Sequence, residues 1–413
     1  MATHLEPCVP VAGCPGPKPI EREIMEDSSR TDPARSPCTG IRVVDMTQLI
    51  SGPFCSRILA DLGAEVIKVE SAGSDVLRQQ PPVLDGLGAY FEQVNRGKKS
   101  FEVDVKSEHG RDLVRSLAAG ADVFIQNSRP GVMERLGLGY AELSAANPRL
   151  IYLSINGFGE TGPLAHRAAY DAVIQGLTGF MGIQGTEDEP AVVNGVIADK
   201  ITAMWAANAL LAALLERERG DGRGQKVEVN MTSAYAAFVL LDQMHNYTFA
   251  ADGLPEFRRP PPTRTLHTSD GVVIGYLLQP VQIAKFCAAL GRDDLAADPK
   301  FGNAASVVQN LAWLYTTVAD QVKTMPTAEF LALMDEHSLP FGRVNTVEEF
   351  LASPEAEHAE ALTVLEDPDY GAIRHLAHPA KFYRTPAVET RRAPRVGEHT
   401  AEIIADLERR AST

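Results

Sequence analysis

Ile41-Arg42-Val43-Val44-Asp45-Met46, then a helical stretch opening at Pro53 and running to Leu62, then Ala64-Glu65-Val66-Ile67-Lys68-Val69-Glu70, decide the fold of this chain. The two flanking runs are short, apolar and rich in β-branched residues, as buried strands are, and a proline is tolerated in the first turn of the helix between them. The same alternation continues outward. Residues 108–119 carry a helical pattern, Asp122–Gln126 and Leu150–Ile155 read as strands, and Asp199–Arg219 as a long apolar helix. The turn Gly220-Asp221-Gly222-Arg223-Gly224 then leads into a strand over Gln225–Met231. Strands separated by helices indicate βαβ units and predict an α/β protein with an open, parallel, Rossmann-like sheet.

Composition changes at both ends of this region. Residues 1–39 are rich in Pro, Gly, Ser and charge and cannot bury enough surface to order themselves, so a disordered extension is expected there. The main α/β domain is expected over residues 40–250. A stiff proline-rich linker follows at 251–264, where Arg258-Arg259-Pro260-Pro261-Pro262 breaks the pattern. A smaller α+β domain is expected over 265–344, and 345–413 as a C-terminal return to the main domain.

With 413 residues, 45% of them hydrophobic, the chain can bury more than one core. A net charge of −15 offers no overall basic footprint for nucleic acid, although it leaves room for a local phosphate site. The five cysteines include no CxxC pair, so no metal site is expected; Cys8, Cys14 and Cys38 fall in the extension and Cys55 reads as a small buried hydrophobe. The odd count fits a reducing cytosol. No run of 18 apolar residues and no charged start followed by an apolar block are present, so neither a membrane span nor a signal peptide is expected, and the localisation expected is cytoplasmic.

Gly157-Phe158-Gly159-Glu160-Thr161-Gly162-Pro163 follows a strand, as a dinucleotide fingerprint would. However, Pro163 and then Leu164-Ala165-His166-Arg167 stand where an apolar helix should begin, and the preceding strand is not the first of the sheet. The loop therefore reads as a place where backbone approaches something closely. Asp171 of Tyr170-Asp171 opens the next apolar helix; it suits a helix-capping acid, and equally an ionised nucleophile. Arg78, then Arg96, Lys98 and Lys99 after Asn95, and Arg129 in Asn127-Ser128-Arg129-Pro130-Gly131 are each ordinary surface charges alone. Together, in an acidic chain, they suggest an anion site.

These motifs, with Asp45-Met46-Thr47 through Gly52-Pro53, Asn95-Arg96-Gly97-Lys98-Lys99-Ser100, Gly222-Arg223-Gly224-Gln225 and Gly397-Glu398-His399-Thr400, resemble the class III CoA-transferase family over about residues 40–400. That family includes formyl-CoA and carnitine CoA-transferases and α-methylacyl-CoA racemase. The resemblance implies the open sheet with a small inserted domain, and a homodimer whose two chains thread through each other as interlocked rings. It implies an acyl-CoA and a carboxylic acid as substrates, with no permanently bound cofactor. Asp171 would attack the thioester, giving an anhydride and then an aspartyl-CoA thioester. Arg78, Arg96, Lys98 and Arg129 would hold the CoA phosphates, and Gln48, Ile50 and Ser51 would line the CoA and acyl site. Tyr170, Glu160 and Asp199 would position the reacting groups.

The racemase branch of the family has His immediately before the aspartate, where this chain has Tyr170, a poor base at neutral pH. Asp199 matches the racemase's second acid, but half of the pair is missing, so transferase is the expected chemistry. Racemase-type proton exchange and CoA binding without transfer are the alternatives. The run of consecutive glycines of the best-known transferases is absent, and Ile50 stands where formyl-CoA transferase has a glutamine. These departures argue against oxalate or formate and for a larger or less polar acyl chain.

Overall fold

The computed structural model describes residues 35–412, apart from positions 72, 74, 187, 252, 258–263 and 389–390. The expected extension before residue 35, with Cys8 and Cys14, and the Arg258–Pro262 stretch of the linker lie outside the described residues. The chain divides into two units, one running to Leu241 and resuming at Thr363, the other spanning Asp242–Leu362. Residues 345–362, expected in the return, thus group with the second unit.

In the first unit β1 (Arg42–Asp45), α1 (Ser51–Asp61), β2 (Glu65–Glu70), α2 (Ala89–Asn95), β3 (Lys99–Glu102), α3 (Glu108–Ala119), β4 (Val123–Gln126), β5 (Ile151–Asn156), α4 (Asp171–Leu177), α5 (Ile197–Arg219), β6 (Lys226–Asn230) and α6 (Met231–Val239) follow in order. The strands form one parallel sheet ordered β3-β2-β1-β4-β5-β6. The chain builds outward from β1 to β3 and then crosses back to lay β4 on the other side of β1. The order reverses between β1 and β4, and ligands bind at such a switch point, beyond the carboxyl ends of the strands.

The four central strands, β2, β1, β4 and β5, are buried on both faces, which explains their largely apolar character, while the edge strands β3 and β6 are partly exposed. Val43, Val66, Val123, Ile125, Ile151 and Leu153 point to one core with Leu59 of α1 and Ala203, Ala206 and Leu210 of α5. Their neighbours Val44, Ile67, Phe124 and Tyr152 point to the opposite core, with Val114 and Leu117 of α3. This is the period-two alternation of a strand with a helix layer on each side. Helix α1 begins at Ser51, ahead of Pro53; the first turn has no intrahelical partners for its N–H groups, so the proline disturbs nothing there. Helix α5 is long and apolar enough to span a membrane by length and composition, but half of that stretch is buried inside the protein, as in a core helix.

The extension ends earlier than expected. Cys38 is 3% exposed within the α1–α5 core, and its N–H donates to Leu62 O at 2.8 Å. Ser36 is tied to Pro386 O at 2.6 Å. After Thr363 the first unit adds a two-stranded ribbon and a last helix at Thr400–Ala411, which places Ile403 and Leu407 in the α3 core.

The second unit is α+β. β7 (Leu266–His267), β8 (Val272–Gly275) and β9 (Phe341–Arg343) form an antiparallel sheet ordered β9-β8-β7. Helices α7 (Pro280–Ala289), α8 (Ala304–Val322) and α9 (Thr327–Glu336) cover its core with Ile283, Phe286, Leu311, Leu314 and Phe330.

Candidate active site

The loops leaving β1 and β4 are clamped together at the switch point. The Gln48 N–H donates to Asn127 Oδ1 at 3.0 Å, and Asn127 Nδ2 donates back to Gln48 O at 2.8 Å. Two clefts open on either side of this clamp and share Leu49, Asn127 and Ser128 as a common wall. One, of about 200 Å³, is walled by Ser51, Arg129, Gly157, Arg167, Tyr170 and Asp199 among others. The other, of about 320 Å³, is walled by Gln48, Val69, Val105 and Met133 among others. Leu49, between them, has φ +65°, a left-handed conformation that costs a leucine about 1–2 kcal/mol. Such strain concentrates at functional sites.

The glycine loop does what close approach requires. A Cβ on Gly157 would lie 2.1 Å from Ala169 Cβ, so only glycine lets the segment before Tyr170 close on the end of β5. Gly159 has φ +97° and its N–H donates to Asn156 Oδ1.

Asp171 is the first residue of α4, 8% exposed, one residue behind the cleft wall formed by Tyr170. Its carboxylate does not cap its own helix. Oδ2 accepts the N–H groups of Ala198 at 2.6 Å and Asp199 at 3.1 Å, in the first turn of α5, where N–H groups lack intrahelical acceptors. Oδ1 accepts one bond, from Gln175 Nε2 at 2.5 Å. Gln175 lies one turn along α4, is fully buried, and is locked in turn by the backbone of Val193. The positive end of α5 thus faces a buried carboxylate.

A second carboxyl stands beside it. Burial, and then the negative charge of Asp171, push the pKa of Asp199 up to about 6, against hydrogen bonds from Ser51 that stabilise the anion. The Tyr90 hydroxyl is pushed up to about 12 by burial, then by Asp199 and Asp171. Burial and then Asp171 raise Tyr235 as well.

Of the expected residues, Ser51, Arg129, Tyr170 and Asp199 meet around the smaller cleft and Gln48 lines the larger one. Arg129 and Tyr170 are exposed, and Arg129 has no ion pair among the described residues. Glu160 is ion-paired to Lys226 and lines neither cleft. Ile50 is 8% exposed, packs with Leu77, Leu87 and Phe91, and lines neither cleft.

Three basic residues are corrected outright. Arg78 makes a bidentate pair with Glu70 at 3.0 and 2.6 Å and lies 3.8 Å over the Phe91 ring. Arg96 grips Asp61 at 3.1 and 2.9 Å. Lys98 holds Asp45 at 2.9 Å, with Asn95 Oδ1 and Pro53 O completing its donors, and burial brings its pKa down to about 8 despite Asp45. All three are at most 5% exposed and ion-paired inside the protein, and none of them lines either of these two clefts. Sequence reasoning missed Gln175, Leu49 and Arg167. The one-turn spacing from Asp171 to Gln175 was a usable signal, as was an arginine so close to Tyr170-Asp171; the backbone strain at Leu49 had none. Among the described residues no group of three or more His, Cys, Asp or Glu is placed to hold a metal ion.

The sequence model of CoA-transferase family III matches residues 39–400. Succinate–glutarate CoA-transferase of Agrobacterium fabrum is 33% identical, covering 91% of this chain and 96% of that protein. Human succinyl-CoA:glutarate CoA-transferase is 32% identical, covering 90% and 86%. Succinyl-CoA:mesaconate CoA-transferase of Haloarcula hispanica is 36% identical, covering 88% and 94%. The crystal structure of a CaiB/BaiF family protein from Brucella suis superimposes with a TM-score of 0.79 at 35% identity, covering 90% of this chain and all of that one.

Proposed function

Because the chain belongs to CoA-transferase family III and is a CoA-transferase, we propose that it moves CoA from the thioester of a short dicarboxylic acid to a second carboxylic acid through covalent intermediates on Asp171. The observation that carries this reading is the unequal solvation of the two Asp171 oxygens. Oδ2 is held by two backbone N–H groups, and Oδ1 by one side-chain amide.

Oδ1 attacks the thioester carbonyl carbon, the tetrahedral adduct collapses, and CoA leaves as thiolate, giving an aspartyl anhydride. The thiolate then attacks the Asp171 carboxyl carbon. Negative charge develops on Oδ2, where the Ala198 and Asp199 N–H groups already point, a preorganised oxyanion site at a helix N-terminus. Collapse expels the donor acid and leaves aspartyl-CoA; the acceptor carboxylate reverses the sequence and departs with CoA. Splitting the exchange this way replaces one difficult attack by four feasible ones. CoA is substrate throughout, and the enzyme needs no bound cofactor.

Arg129 and Arg167, both exposed on the smaller cleft, supply the positive charge for the anionic ends of the substrates: Arg129 for a CoA phosphate, Arg167, on the loop leading to Asp171, for the distal carboxylate of the acyl group. The relatives named for succinate, glutarate and mesaconate support a dicarboxylate, and Ile50, packed in the core, lends no support to a less polar acyl chain. The exposed Met204, Trp205 and Leu215 on α5 support a homodimer that covers them, with the interlocked arrangement as its expected form. The buried free thiols of Cys38, Cys55 and Cys287 suit a reducing cytosol.

The test is mass spectrometry after incubation with a panel of acyl-CoAs, succinyl-CoA first, with hydroxylamine or borohydride as trap. A hydroxamate or reduced product on the peptide carrying Asp171, absent in Asp171→Ala, is expected. No adduct with any donor, but deuterium entering the acyl α-carbon from heavy water, would replace this reading by racemase chemistry.

A further inference from the structure

Tyr235 of α6 is fully buried, and its hydroxyl is one of few buried side-chain polar atoms without a hydrogen-bond partner among the described residues. Its ring packs edge-on to Phe180 and shares a cluster with Ile174 of α4 and Ala198 of α5, the two helices that Asp171 joins. A buried phenol normally finds an acceptor, and leaving one without costs folding free energy. Ala198, in that cluster, donates its N–H to Asp171, and burial, then the charge of Asp171, raise the Tyr235 hydroxyl and keep it protonated.

Counting donors at Asp171 gives the orphan a purpose. In the resting enzyme the carboxylate takes Ala198 N–H, Asp199 N–H and Gln175 Nε2, and the Gln175 amide is shared with Val193. Attack by Oδ1 on a thioester brings a further oxygen, the acyl carbonyl, which becomes an oxyanion in the tetrahedral adduct. The donors at Asp171 are already committed to its own oxygens, so the incoming one needs another. We propose that the Tyr235 hydroxyl is a catalytic hydrogen-bond donor to the substrate's acyl oxygen in the tetrahedral adducts on Asp171. The phenol keeps its proton: no bond to it forms or breaks, and it stabilises charge that is absent from the resting enzyme. A donor with no ground-state partner is preorganised for the transition state, and its strain is present before substrate arrives.

The inference rests on Asp171 acting as nucleophile, and Tyr235→Phe separates the two. The variant removes one buried oxygen and keeps the ring. Expected results are a higher Tm, because an unsatisfied buried hydroxyl is gone, together with kcat for CoA exchange lowered by about 100-fold and KM for the acyl-CoA little changed. The rate of hydroxylamine trapping at Asp171 should fall in parallel. If wild type forms the Asp171 adduct and Tyr235→Phe forms it at the same rate with unchanged kcat, the hydroxyl has no such role and this inference is overturned, while the nucleophile stands. If wild type forms no adduct at Asp171, the underlying reading fails first. A variant with lowered Tm and a raised KM alone would make Tyr235 a packing residue and also overturn the proposal.

Discussion

Asp45, Asp61 and Glu70 are buried acids, and so is Asp171, but the two sets end differently. The first three meet cations: Lys98 on Asp45, Arg96 and Arg57 on Asp61, Arg78 on Glu70. Burial opposes the ionisation of Asp45, yet Lys98, Lys68 and the hydroxyls of Ser56 and Thr47 hold its carboxyl well below the usual range. Asp171 has no cation partner among the described residues and meets N–H dipoles, with a second carboxyl, Asp199, beside it. The first set is balanced within the fold and has nothing left for a ligand. The second carries negative charge stabilised only by dipoles, next to a cleft. Burial alone does not mark a reactive carboxylate; the identity of its partners does.

The largest effect that sharpens this contrast is at Asp171 itself. Asp171→Asn keeps the shape and should abolish adduct formation and lower CoA exchange by at least about 10³-fold, as removal of a covalent nucleophile does. Steady-state exchange and peptide labelling would read it, and residual exchange near the wild-type rate would break the assignment. Removing a partner from the other set should act on the fold. Arg96→Met leaves Asp61 with Arg57 alone and should cost about 3–5 kcal/mol in urea unfolding, with KM for CoA unchanged in the folded fraction. A raised KM without lost stability would return Arg96 to the phosphate site.

Arg167→Ala should act more selectively. The KM for a dicarboxylate acceptor should rise about tenfold or more, the value of a charge-assisted hydrogen bond of roughly 1.5–3 kcal/mol, while a monocarboxylate of similar length changes little. Arg129→Ala should instead raise KM for acyl-CoA and weaken its dependence on salt. Equal effects of both variants on both substrates would erase the division of labour between them.

Five of the six strands were legible because each is a short run rich in apolar residues with a helix between it and the next, even where Lys68 is buried in β2; the edge strand β3, Lys99-Ser100-Phe101-Glu102, has no such run and stands out only as part of a basic motif. The inserted α+β unit was legible from the break in texture. What stayed hidden was set by contacts remote in sequence. Nothing local says that Cys38 enters the core, or that Arg78, Arg96 and Lys98 turn inward to Glu70, Asp61 and Asp45. A basic motif gives the sign of a charge and not the partner that folding brings to it. Asn127-Ser128-Arg129 was singled out for its arginine, yet Asn127 does the positioning by clamping the β1 loop. Asp171 was legible as a residue, while its donors arrive from the start of α5, remote in the chain.

The smallest effect expected is in pH dependence, and it separates the two sets once more. The folded pKa of Asp199, about 6, lies above its ordinary value of 3.8, so the native state binds the proton more tightly than the unfolded chain. Its contribution to stability is full below pH 3.8 and is lost as pH rises through 6. Function should follow the same group. In the acceptor step Asp171 is the neutral CoA thioester, so above pH 6 the anionic acceptor approaches one charged carboxylate, Asp199, instead of none, a cost of about 1 kcal/mol, or roughly fivefold in KM, for unit charges about 4 Å apart screened as in water. In Asp199→Asn the acceptor KM should be flat between pH 5 and pH 8, and Tm should fall less over that range than in wild type. Asp45, held by Lys98 and Lys68, should contribute nothing to either profile there. A wild-type KM flat across pH 6 would mean that Asp199 does not face the acceptor, and the cleft would then have to be reassigned around Arg167 and Tyr170 alone.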